Sequence, residues 1–167
     1  VIVTVISYFP AFHAGYIWDD NLYVTENPNL LDLAGLNKIW FVLGSTPQYY
    51  PVTFTSFWLE NQIWGINPLS NHGLNILIHL LNSILIGHLF TRLSIPGAWL
   101  AATLFSIHPV HVESVAWITE RKNVLSTFFY LLSFIKYIQF NGIASSNPPS
   151  NRKQTNIIRT YILSLFF

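Results

Sequence analysis

The sequence predicts an all-α protein, a polytopic transmembrane helical bundle with interfacial helices in its first outer loop. Three observations carry that reading. Charged residues make up 9% of the chain, against about a quarter in a water-soluble domain. Apolar runs close to the length that crosses a bilayer recur along the sequence. Acids and bases also segregate between alternate connections. The net charge is only +1, so no basic face is offered to nucleic acid, and the absence of cysteine removes disulfides and thiolate metal sites.

Taken in order, the apolar run VIVTVISYF opens the chain, and residues 1–12 read as the second half of a spanning helix. A signal-peptide core is the alternative, but no basic region or small-residue cleavage site accompanies it. The chain ends in YILSLFF, inside another apolar run, and so reads as a piece of a larger protein. Residues 13–73 are too polar to cross lipid and form an outer loop. Within it LLDLAGLNKIWFVL and VTFTSFWLENQIWG carry apolar stripes at helical spacing. Their Trp content suits helices lying along the membrane interface.

Residues 74–90 form the next span, ended by Arg92 and the breaker SIPG. Residues 98–116 form another, whose far end HPVHVESVAW is polar. Residues 124–140 follow, closed by NGIASSNPPSNRK, a solvated loop by composition. Residues 157–167 begin a fifth span. Alternation places Arg92, Lys136, Arg152, Lys153 and Arg159 on one side with no acid. The other side receives Lys38, Arg121 and Lys122 with all seven acids. Excess Lys and Arg mark the cytoplasmic side, so the long first loop faces the lumen or periplasm.

Two clusters on that outer side carry the candidate chemistry. In YIWDDNLYVTENP the adjacent Asp19 and Asp20 follow the first apolar run. One reading is a turn, since Asp and Asn side chains bond nearby backbone amides. The other is a base, because abutting acids push one pKa upward toward a usable range. The second cluster is HPVHVESVAWITERKN, residues 108–123. If it is helical beyond Pro109, Glu113, Trp117 and Glu120 share one face, with Arg121 beside them. Ion pairs of Glu113 or Glu120 with Arg121 or Lys122 would tie helices together. A zinc site from His108, His111 and Glu113 is chemically conceivable, but the spacing matches neither HExxH nor HxxEH, and no metal is assigned. Inside the second span, His72, Asn75, His79, Asn82 and Ser83 form a polar stripe. Such a stripe serves as hydrogen-bond glue between helices or lies beside a bound polar headgroup.

The segments WDDNLYVTENPNL, YYPVTFTSFWLENQIWGINPLSNHGLNILIHLLNSIL and ATLFSIHPVHVESVAWITERKNVLSTFFYLL occur in order over nearly the whole chain. They resemble the amino-terminal membrane region of the transmembrane and TPR-containing protein O-mannosyltransferase family. That resemblance implies a GT-C fold, with tetratricopeptide repeats following downstream. It implies an enzyme that moves a sugar, mannose or another hexose, from a polyprenyl-phosphate carrier to a hydroxyl of an acceptor protein on the outer face, without a cofactor.

By the same resemblance the family's acidic pair falls on Asp19 and Asp20, and its HPxHxE stretch on His108, His111 and Glu113. Inverting transfer needs a base at the acceptor and positive charge at the departing phosphate. The expected roles follow: Asp19 as base, Asp20 positioning, Arg121, Lys122 and His111 at the donor phosphate. His108, Glu113, Glu120 and His79 are placed in support. Tyr49, Tyr50, Pro51 and Val52 stand where many relatives have a Tyr-Arg-Pro-Leu segment, so one cationic phosphate ligand is missing. Glu120 to Asn123 look more like bacterial members, which favours a bacterial inner membrane over the endoplasmic reticulum. The isolated segment is expected to be inactive. A transporter-like bundle and a noncatalytic membrane anchor are the rival readings.

Overall fold

The computed structural model describes residues 1–140, which are helical with no strand among them. The expected loop at 141–153 and span at 157–167 lie outside the described residues. Seven α-helices follow one another, with short 3₁₀ or π turns between α1 and α2, α5 and α6, and α6 and α7: α1 (Ile2–Ser7), α2 (Leu33–Phe41), α3 (Pro51–Trp64), α4 (Pro68–Arg92), α5 (Ala98–Ile107), α6 (Val112–Ala116) and α7 (Arg121–Phe140).

Where the helices start and stop follows from local chemistry. α1 does not run on to Phe12. Pro10 has no amide to donate, and the chain tightens into a 3₁₀ turn over Phe9–His13. Asp32 caps α2, its Oδ1 accepting from the Gly35 amide. Pro51 opens α3, and Gly65, at φ 68°, ends it in a conformation that favours glycine. Asn67 caps α4 through the Leu69 amide at 3.0 Å, with Pro68 in the first turn. The helix therefore starts six residues before the apolar run that announces it, on polar residues that hydropathy does not register.

Residues 98–116 are not one continuous helix. His108 precedes Pro109 and is driven to extended backbone (φ −67°, ψ 129°), which ends α5. A 3₁₀ turn over Pro109–His111 leads into α6, extended Trp117 ends that in turn, and a second 3₁₀ turn over Ile118–Glu120 leads into α7.

α4 is the central element and packs against α5, α6, α7 and the Phe9–His13 turn. With 25 residues it is, among the described residues, the one helix long and apolar enough to cross a membrane, about 37 Å at 1.5 Å per residue. α5 is apolar but only 10 residues long. The Trp99 ring of α5 packs onto α4 at Gly87, where an added Cβ would sit 2.7 Å from it.

The polar stripe of α4 is buried, and Asn75, His79 and Asn82 bond it to its neighbours. Asn75 donates to the Trp117 carbonyl (3.1 Å), Asn82 to the Val124 carbonyl (2.9 Å), and His79 Nε2 lies 3.1 Å from the Ser106 carbonyl. These bonds hold α5, α7 and the 117–120 segment to α4.

The first loop builds its own core. Tyr23, Val24, Leu30, Ile39, Phe54 and Phe57 are buried together with Ile118, so the loop is pinned to the segment before α7. Truncating a buried Phe to Ala typically costs about 3–5 kcal/mol, enough for Phe54 and Phe57 to fix α3 in place. The other faces of these helices leave Leu33, Phe41, Leu43, Ile63 and Trp64 exposed.

Candidate functional site

The acidic pair sits on a turn whose geometry separates its two members. Trp18, just before it, has a positive φ of 49°, uncommon for a bulky residue, and its ring meets Trp117 edge-on at 4.9 Å. The turn carries Asp20 inward and leaves Asp19 outside: Asp20 is fully buried and Asp19 is exposed. One Asp20 oxygen accepts from the Ile17 amide at 2.9 Å and the other from the Thr119 amide at 3.1 Å. Burial pushes the Asp20 carboxyl above the usual range, while those two amides and the charge of nearby His72 pull against it. The hydrogen bond to Thr119 brings the first-loop acids against the segment that carries Arg121 and Lys122.

Arg121 is fully buried at the start of α7. Its Nε donates to Asn75 Oδ1 (2.8 Å), Nη2 to the Asn71 carbonyl (2.9 Å), and Nη1 to Ser56 Oγ and Glu60 Oε2. The guanidinium lies over the Phe57 ring, 4.1 Å from its centroid. Held on every side, it has no open face for a phosphate, which departs from the expectation placed on it.

Glu60, its ion-pair partner, is itself only 2% exposed and also accepts from Asn71 Nδ2 at 2.9 Å. Tyr16 completes the group by donating to Asn71 Oδ1 (2.9 Å). Its hydroxyl pKa is pushed up to about 12 by burial and then by the charges of Glu60 and Asp20, with Arg121 opposing.

Glu60, Asn71, Ser56 and Tyr16 were not singled out from sequence. The signal for Glu60 was present, since it follows Phe54 and Phe57 at steps of three on the buried face of α3. An acid in an apolar stripe needs a buried cation.

Lys122, one residue on from Arg121, is partly exposed. Its Nζ pairs with Glu120 Oε1 at 2.8 Å and lies 5.8 Å from the centre of the Tyr50 ring. It lines an open groove of about 580 Å³ between the N-terminus of α3, from Tyr49 to Thr53, and the first three turns of α7. Leu125, Phe129 and Tyr130 supply an apolar wall. Burial raises the pKa of the buried Tyr23 hydroxyl, and the charge of Lys122 opposes that rise while the charge of Asp19 adds to it.

The histidines form a separate group. The His111 ring lies 4.3 Å from Phe105 and 5.5 Å from His79, around a cavity of about 80 Å³ that shares only Asn123 with the Lys122 groove. His108 accepts from the Val110 amide at 3.2 Å and so caps the turn that follows it. Glu113 is exposed on α6. Glu120 lies beyond the extended Trp117, so the shared helical face expected for Glu113, Trp117 and Glu120 does not form. Among the described residues, no three His, Asp or Glu side chains come together in a way that could hold a metal ion.

No family model matches the chain, and no solved structure does. Curated relatives do. Protein O-mannosyl-transferase TMTC2 of Mus musculus is 34% identical over 147 residues, which cover 79% of this chain and 17% of that protein. Tmtc1 of Drosophila melanogaster is 28% identical over 172 residues, 96% of this chain and 19% of the relative. TMTC3 of Homo sapiens is 28% identical over 152 residues, 84% and 16% respectively. The chain thus spans less than a fifth of the length of these relatives. The chain belongs to the TMTC family of protein O-mannosyl-transferases.

Proposed function

We propose that this chain forms part of a membrane glycosyltransferase that moves a hexose, mannose by the names of its relatives, from a polyprenyl-phosphate donor to a hydroxyl of a protein acceptor. The reaction takes place on the outer, periplasmic or luminal, side. α4 supplies a span, and the all-helical chain is read as part of a GT-C bundle. The observation that supports this reading is the hydrogen bond from the Thr119 amide to Asp20, which joins the acidic turn to the segment bearing Lys122.

In this reading Asp19, exposed beside that junction, takes the proton of the acceptor hydroxyl. The oxygen attacks the anomeric carbon as its bond to phosphate breaks, and charge grows on the departing phosphate. Lys122 faces that charge from the groove, where the free amides at the start of α3 add partial positive charge. The apolar wall along α7 suits the lipid chain. Asp20 positions the turn and does not itself react, since both its oxygens are already held by amides. Arg121 supports the site from within, and His111, His79 and His108 lie at one remove from it.

Membranes containing the full-length protein, incubated with radiolabelled polyprenyl-phosphate mannose, should pass label to protein. Uptake of label without transfer would favour a transporter. No change of any kind would favour an anchor.

A further inference from the structure

We propose that Glu60 is a positioning residue: through Arg121 its buried carboxylate fixes the distance between the Asp19 turn and Lys122. The inference rests on the glycosyl-transfer reading only for its consequence in turnover; the geometry it concerns stands without it. Arg121 and Glu60 join three elements at one point: Ser56 and Glu60 from α3, Asn71 and Asn75 from α4, and Arg121 from α7. Arg121 lies two residues after Thr119, which binds Asp20, and one residue before Lys122, which faces the groove. Asn75 receives the Arg121 Nε and at the same time donates to the carbonyls of Trp117 and Ile118. The segment 117–122 is therefore gripped at both ends by the same polar cluster. If the grip loosens, the base and the cation lose their common frame.

A second feature separates this role from plain stabilisation. A buried ion pair can often be exchanged for apolar residues of similar volume without loss of stability, whereas removing one partner is severe. The apolar pair E60L/R121M would keep packing against Phe57. It would lose the directional bonds to Asn71, Asn75 and Ser56 that set the position of the segment.

The test uses the full-length protein, with D19C and K122C carrying spin labels; these 167 residues contain no cysteine, and any cysteine outside them is replaced by serine. Distances between the labels are measured with and without E60L/R121M, and thermal unfolding is measured alongside. The expected result is a folded protein, with a label distance that broadens or shifts beyond its original width. An unchanged distance in a folded E60L/R121M protein would overturn the proposal. Should that variant not fold, E60Q keeps the volume and carries the same comparison with the same two outcomes.

In the full-length protein with Asp19 and Lys122 intact, E60L/R121M should lower transfer by about 100-fold, the scale of an ångström-level misplacement. Absence of transfer in the unsubstituted protein would remove the glycosyl-transfer reading, while the label distances would still decide the role of Glu60.

Discussion

Asp20 Oδ1 accepts a hydrogen bond from the Thr119 backbone amide at 3.1 Å, joining positions 99 residues apart in the chain. Because the Asp20 side chain is fully buried and its other oxygen takes the Ile17 amide, the acidic turn has one defined seat. Neighbouring Asp19 is left exposed.

Asp20→Asn should therefore cost stability. An amide presents one acceptor oxygen, so one of the two amide donors loses its partner, a penalty of about 1–3 kcal/mol. Asp19→Asn, at an exposed position, should leave stability unchanged. Thermal unfolding in detergent compares the two; equal losses would contradict the division of roles.

The pH dependence of the same pair has a definite sign. Burial raises the Asp20 pKa in the folded protein, so between the ordinary aspartate range and that raised value the folded state holds more protons than the unfolded one. Stability from this group is full in acid and declines as pH climbs through the raised value. The difference between wild type and Asp20→Asn should accordingly shift with pH over that window, read as unfolding midpoints from about pH 3 to pH 7. A constant difference would show that Asp20 does not titrate in the fold.

Arg121 and Lys122 are adjacent but should respond in opposite ways. Arg121→Ala leaves Glu60 as an unpaired buried charge and should cost about 3–5 kcal/mol. Lys122→Ala removes a partly exposed pair with Glu120, worth at most about 1 kcal/mol. It should weaken binding of a polyprenyl phosphate by roughly tenfold or more, in the range of a lost charge-assisted hydrogen bond. Titration of a fluorescent polyprenyl phosphate against both proteins would show it; equal affinity for wild type and Lys122→Ala would remove Lys122 from the donor site.

Gly87→Ala places a methyl group 2.7 Å from the Trp99 ring and should cost about 1–3 kcal/mol as overpacking. Trp99→Leu in the same protein should recover part of that loss. At Gly35 the obstacle is backbone, 2.3 Å from the Asn29 carbonyl oxygen, so Gly35→Ala should be the more damaging change, with no side-chain rescue. Paired unfolding curves settle both.

The all-helical fold was legible because apolar periodicity marks α2, α3, α4 and α7 directly. The breaks were less so. Pro10 and Pro109 announce an interruption, but whether a helix kinks or gives way to a 3₁₀ turn depends on what packs there, and Trp117 carries no local signal for its extended backbone. The α4 stripe was readable as interhelical glue because Asn and His on a membrane-type helix must find partners.

The junction at Asp20 was readable only in part. Sequence placed Asp19, Asp20, Arg121 and Lys122 on one side by alternation of the expected spans. It could not tell which acid turns inward, or that Arg121 is consumed by Glu60, because both depend on contacts between segments tens of residues apart.

The central claim is that Asp19 is the base of a glycosyl transfer for which Lys122 holds the donor. Single-turnover transfer by full-length protein carrying Asp19→Asn tests it most directly, with donor saturating. A loss of about 100-fold or more is predicted, the usual contribution of a general base, with donor affinity and unfolding midpoint preserved. Turnover equal to wild type in a folded, donor-bound protein would contradict it.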